Sequence, residues 1–179
     1  MPQKRPQKIV ITGPESSGKT TLSQALSEKL SAPVVPEYAR LYLERFGPEY
    51  TLDDLTHIAH GQAALELATA AQTDDLLLAD TSLEVIRVWW DYRFGTPPPW
   101  LEALLWRHRG DFYLLCAPDL PWQPDPLREN PHDRAQLFDR YVALLERLGL
   151  PYGVVEGSGE ARTRRALAQL AAAGLIAPL

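Results

Sequence analysis

The sequence predicts a single three-layer α/β domain over residues 1–179, with a five-stranded parallel sheet between two layers of helices. Three observations predict it. Five short apolar runs lack the polar alternation of half-exposed strands, as strands covered on both faces do. Helical periodicity separates them. A glycine-rich segment, Gly13 to Thr21, joins the first run to the first helical pattern. With 179 residues the chain can bury one substantial core, and no second domain is expected.

The first run, "KIVIT" (8–12), leads into "GPESSGKTT", where Gly13, four residues, then Gly18-Lys19-Thr20 satisfy G-x-x-x-x-G-K-[ST]. This is the P-loop pattern, set between an expected strand and an expected helix, "KTTLSQALSEKL" (19–30). Its chemistry explains its residues. Gly13 and Gly18 allow backbone conformations that a Cβ disfavours, so successive N–H groups, including those of Glu15, Ser16, Ser17 and Thr21, curl around an anion. A helix starting near Gly18 adds its positive end. Lys19 reaches the terminal phosphates of ATP, and the Thr20 hydroxyl ligates Mg²⁺.

The second run is "PVVPE" (33–37), ending in Glu37, and the third is "LLLAD" (76–80), ending in Asp80. Between them "LDDLTHIAHGQAALELATAAQ" (52–72) reads as a helix. The fourth run, "DFYLLC" (111–116), is followed by a proline-rich segment and the helical "DRAQLFDRYVALLERLG" (133–149). The fifth, "YGVVEG" (152–157), precedes the closing helix "EARTRRALAQLAAAG" (160–174). Proline is concentrated between Pro97 and Pro131, which reads as a structured but irregular insert. The fold expected is that of P-loop NTPases, with the kinase-type strand order 2-3-1-4-5.

Ligands of such sheets bind beyond the carboxyl ends of the strands. Asp80 therefore reads as a metal-linked acid, one strand spacing, about 4.8 Å, from the P-loop strand. Glu37 lies about two spacings out, about 9.6 Å. That is too far for the metal and well placed for an acceptor hydroxyl, which makes Glu37 the candidate base, with Asp80 the alternative. Arg40 and Tyr38 stand beside it as substrate contacts, Arg40 equally readable as a surface ion pair and Tyr38 as core. His60 and Gln62 in "THIAHGQ" are candidate sugar or ring contacts, while His57 and His60 lack a third metal ligand. Trp89, Trp90 and Trp100 read as core or cleft wall. The segment at about 118–134 reads as a lid, whose Arg128 or Arg134 would meet the γ-phosphate.

Composition bounds the rest. A net charge of −5 offers no broad attraction for nucleic acid. No apolar run approaches the roughly 20 residues of a membrane span, and no secretory leader is read at the start, so a cytoplasmic protein is expected. Cys116, the only cysteine, excludes an intrachain disulfide. The basic run Arg162 to Arg165 reads first as a solvated helix face. No G-x-S-x-G elbow supports acyl-transfer chemistry, and no N-K-x-D supports guanine reading.

Taken together, "GPESSGKTTL", "PEYAR", "HGQ", "ADTS", "PDLPWQPDPLREN" and "DRAQLF" resemble the ribosylnicotinamide kinase domain of the NadR family and its stand-alone AAA-type relatives, from Ile9 to about Ala166. The resemblance implies an ATP- and Mg²⁺-dependent kinase acting on the 5′-hydroxyl of nicotinamide riboside. It implies phosphate binding by Gly13 to Thr21, a metal-linked acid at Asp80, substrate contacts around Glu37, and a lid containing Arg128. It also implies an adenine contact by Arg162 or Arg164. The chain departs from the fused protein in lacking its adenylyltransferase and DNA-binding portions, so no repressor or dinucleotide-forming role is expected. Ser82 stands where the family pattern has a further acid. A kinase of another nucleoside or small alcohol, or an ATP-hydrolysing switch, remains the alternative. The oligomeric state is not legible.

Overall fold

The computed structural model describes residues 5–178. Among them lie β1 (Gln7–Thr12), α1 (Lys19–Leu30), β2 (Val34–Val35), α2 (Tyr38–Phe46), α3 (Leu52–Ala70), β3 (Leu76–Asp80) and α4 (Leu83–Phe94). Then follow α5 (Pro99–Arg107), β4 (Phe112–Cys116), α6 (Arg134–Arg147), β5 (Tyr152–Val155) and α7 (Gly159–Ala172). The five strands form one parallel sheet of order β2-β3-β1-β4-β5, the three-layer arrangement and strand order that the sequence predicts.

Strand alternation divides the core in two. Ile9 and Ile11 of β1 face a layer that holds Leu22 and Leu26 of α1 with Leu167 and Leu170 of α7. Val10 faces the other way, toward Leu55 and Ile58 of α3, Ile86 of α4 and Leu145 of α6. Every residue of β3 is buried, as its unbroken apolar sequence requires. No helix among the described residues is long and apolar enough to cross a membrane.

Three details differ from the sequence reading. The second strand is two residues long, because Pro33 and Pro36 flank it and neither can donate to a ladder. Glu37 is consequently the residue that opens α2, not the last residue of a strand. The stretch from Pro97 to Pro131 is not one irregular insert. Pro99 occupies the first turn of α5, where its missing N–H costs nothing, and β4 follows, so the irregular part is the segment between β4 and α6.

Candidate active site

Backbone geometry builds the loop after β1. Gly13 has φ +136°, and a Cβ there would come within 2.6 Å of the Cys116 carbonyl oxygen, so the close approach of β4 admits glycine alone. Ser16 and Gly18 also have positive φ, +54° and +76°, and these left-handed turns curl the amides inward. No side chain caps the start of α1, which leaves its first N–H groups free for an anion. Lys19 Nζ donates to the Pro14 carbonyl at 2.7 Å, folding back across the loop. Ser17 is buried and donates to the same carbonyl at 2.7 Å, bracing the turn from behind.

Asp80 pairs in register with Ile11 of β1, which brings it to the edge of this loop beside the Thr20 hydroxyl. It is buried, and its Oδ1 has no hydrogen-bond partner. Burial raises its pKa, while Thr20 and Lys19 pull the other way. Glu37 lines the same cleft, a cavity of about 300 Å³ that also contains Lys19, Arg40 and Arg128. Desolvation raises the Glu37 pKa, Lys19 opposes that, and the Asp80 charge adds to it. Thus the Lys19 charge acts on two carboxylates, Glu37 lining the cleft and Asp80 at the edge of the loop. The wall beyond Glu37 is apolar and aromatic, with Leu43, Val88, Trp89 and Tyr141.

The segment between β4 and α6 lies against the loop. Glu15 accepts from the amides of Asn130 at 2.8 Å and Glu129 at 3.2 Å, and Ser16 Oγ accepts from the Gln123 amide at 2.9 Å. Arg128 donates to the Gln123 carbonyl. Arg134 donates to the carbonyls of Leu120 at 2.8 Å and Ser16 at 3.3 Å. Arg40 pairs with Asp125 of the same segment at 3.0 Å.

The remaining candidates lie outside the cleft. Tyr38 turns its ring onto α3 at Gly61. His60 is exposed and stacks on Trp100 at 5.3 Å between centroids, on the outer surface. Gln62 is buried behind the cleft wall. Arg162 is buried and donates to Asp119 and to the carbonyls of Ser17, Ala117 and Gly157, so its guanidinium ties the phosphate loop to the ends of β4 and β5. Arg164 is exposed. Ser82 is buried against Lys8 and Glu66, not in the cleft. The sequence reading did not single out Tyr141, Asp119 or Asp125. Tyr141 sits at core spacing on α6, and the two acids sit in loops, so no local pattern distinguishes them.

Strand order and phosphate loop together put the chain in the class of P-loop proteins with kinase-like architecture. Within that class it belongs to the AAA domain family, whose model matches residues 8–162. It is 28% identical over 154 residues to the trifunctional NAD biosynthesis/regulator protein NadR of Escherichia coli (strain K12), covering 83% of this chain and 38% of that protein. The chain thus spans well under half the length of that relative. Crystal structures of NadR protein in complex with NAD and AMP-PNP, and in complex with NR, each superpose with TM-score 0.78 at 21% identity. They cover 97% and 93% of this chain and 51% and 50% of those chains. A deoxyadenosine kinase from M. mycoides, with products dCMP and dCDP, matches at TM-score 0.67 and 14% identity, over 93% of this chain and 100% of that one. These matches bear out the resemblance to the NadR-family kinase domain that the sequence motifs carry.

Proposed function

We propose that this chain transfers the γ-phosphate of ATP to the 5′-hydroxyl of a small nucleoside, nicotinamide riboside being the acceptor that the cleft suits best. The observation that carries this is Glu37 sharing one cleft with Lys19 and the loop amides. The amides and Lys19 grip the phosphate chain. Glu37 receives the acceptor proton or orients its oxygen for in-line attack, and positioning of this kind supplies most of the catalysis in phosphoryl transfer. Its raised pKa makes it a stronger base than an exposed glutamate. Arg128, on the cleft wall, is placed to meet charge on the transferred group.

The residues fit Mg²⁺: Asp80 presents a buried oxygen without a partner, and the Thr20 hydroxyl lies beside it. When bound there, the ion would neutralise phosphate charge. The acceptor wall, with Trp89 and Tyr141 in its lining, suits a flat ring, and aromatic rings attract a cationic one. Glu15, Glu37 and Asp80 add negative charge around the same space. A pyridinium nucleoside satisfies both features, a neutral nucleoside the first alone.

The test is coupled ADP release with nicotinamide riboside, thymidine, deoxyadenosine or buffer as acceptor. Release that rises with nicotinamide riboside supports the assignment. Release that rises with another nucleoside replaces the acceptor and keeps the mechanism, whereas release equal in all arms makes the chain a hydrolytic switch.

A further inference from the structure

Glu37 stands at the position from which a side chain ordinarily caps its own helix, yet it makes no capping bond to α2. The first amide of that helix, Tyr38 N–H, which lies too close in the chain for Glu37 to cap, donates to Oε1 of Gln62 on α3 at 2.9 Å. The Gln62 side chain is 2% exposed and fully committed: its Nε2 donates to Glu66 Oε1 at 3.3 Å and to the Thr81 carbonyl at 3.4 Å. Glu66 is itself fixed by the Lys8 ammonium at 2.6 Å and by the Ser82 hydroxyl. Thr81 has φ +69°, a left-handed conformation that costs a β-branched residue and persists only where neighbours over-determine it. One side-chain amide therefore reaches the peptide after Glu37 and the residue after Asp80. Next to it, Gly61 lies so near the Tyr38 ring that a Cβ would come within 2.1 Å of Cε1. The ring seats on α3 beside the hydrogen bond.

We infer that Gln62 is a positioning residue: by holding the peptide that follows Glu37, it fixes the backbone from which the Glu37 carboxylate faces the cleft. The inference rests on the reading of Glu37 as the group that meets the acceptor. Without Gln62, the Tyr38 N–H loses its acceptor, and the start of α2, with Glu37 on it, is free to shift relative to the cleft. Gln62 itself does not line the cleft.

The groups around Glu37 are Lys19 of α1, Asp80 of β3, Glu15 of the phosphate loop, Arg40 of α2 and Tyr141 of α6. In Gln62→Met none of these is altered, while the peptide after Glu37 loses its anchor and the displaced carboxylate gains solvent, which favours its charged form. Three results are expected with nicotinamide riboside and ATP. Turnover falls about 10- to 100-fold, the scale of a misplaced reacting group, with ATP affinity unchanged within about twofold. The acidic limb of the pH–kcat/KM profile moves to lower pH. In a Glu37→Gln background the same substitution lowers kcat no further. A crystal structure of Gln62→Met gives a reading that needs no acceptor, and Glu37 is expected displaced from the cleft. An unmoved Glu37, or an equal loss in both backgrounds with an unshifted acidic limb, overturns the inference. Full activity of Glu37→Gln alone overturns the reading of Glu37 instead, so the two failures are distinguishable.

Discussion

The two walls of the cleft are made differently. The phosphate wall is local: Gly13 to Thr21 bend on their own φ values, and Lys19 bonds to Pro14 five residues away. The acceptor wall is assembled from afar, with Tyr38 held by Gln62 twenty-four residues on and Arg40 held by Asp125 eighty-five residues on. Backbone geometry shapes the first, which distant side chains such as Arg162 then brace, and side-chain contacts build the second. A wall shaped locally is robust to changes elsewhere in the chain. An assembled wall is where acceptor choice and positioning can be altered one residue at a time.

The largest effect expected comes from breaking the phosphate wall. Lys19→Ala removes the charge that faces both Glu37 and Asp80, and ADP release should fall to background, a loss of at least about 10³-fold. The acceptor wall breaks more selectively. Glu37→Gln should lower kcat by roughly 10²- to 10⁴-fold, the range of general acid–base catalysis, with ATP affinity retained in a calorimetric titration. For the unaltered chain, the raised Glu37 pKa places the acidic limb of kcat/KM, which reports the free enzyme, above the ordinary glutamate value of 4.5, because the carboxyl must lose its proton to act. A limb at or below 4.5 would assign it to another group.

This contrast also explains how much was legible in the sequence. The phosphate wall could be read because its turns are made by neighbouring residues of one motif, and "KTTLSQALSEKL" and "LLLAD" match α1 and β3 residue for residue. The strand order follows from the same local class of motif. On the acceptor side α2, α4 and α5 were not read as helices. Pro99 looks like a breaker until it is seen in a first turn, and the Trp89-Trp90 pair hides the amphipathic period of α4. Gln62 and His60 are two residues apart on α3 and so face different ways, one behind the cleft wall and one toward solvent. A sequence shows that both are polar, not which of them meets Tyr38. Arg162 illustrates the same limit, since four carbonyl and carboxylate partners from separate loops consume a guanidinium that the sequence offers to a base.

A further prediction concerns stability behind the acceptor wall. Glu84 is buried, its Oε1 accepts from the Ser82 amide at 3.1 Å, and its Oε2 has no partner. Desolvation lifts its pKa from 4.5 to about 7. The folded chain therefore holds a proton there that the unfolded chain releases. Stability from this group is fully present below pH 4.5 and is lost as pH rises toward about 7. The loss amounts to about 3 kcal/mol. Glu84→Gln keeps the acceptor oxygen and cannot ionise. Thermal unfolding should show it more stable than the unaltered chain at pH 8 and nearly equal at pH 5. Equal stability at pH 8 would mean that Lys8, which opposes the shift, holds the charged form well enough.

The smallest effect is expected where the proline-rich segment touches the acceptor wall. Asp125 and Arg40 pair at 3.0 Å, but the Arg40 side chain is 40% exposed and also reaches Glu44 at 3.4 Å. An ion pair so open to solvent contributes at most about 1 kcal/mol, so Asp125→Asn should raise the acceptor KM by no more than about fivefold and leave kcat nearly unchanged. Salt separates the pair from a direct role in binding. Raising ionic strength to about 1 M shortens the screening length to about 3 Å, which should bring the unaltered chain to the KM of the variant while moving the variant itself little. A loss well beyond tenfold that salt does not reproduce would place Arg40 on the acceptor, with Asp125 aiming it. The segment would then be part of the acceptor wall and not merely resting on it.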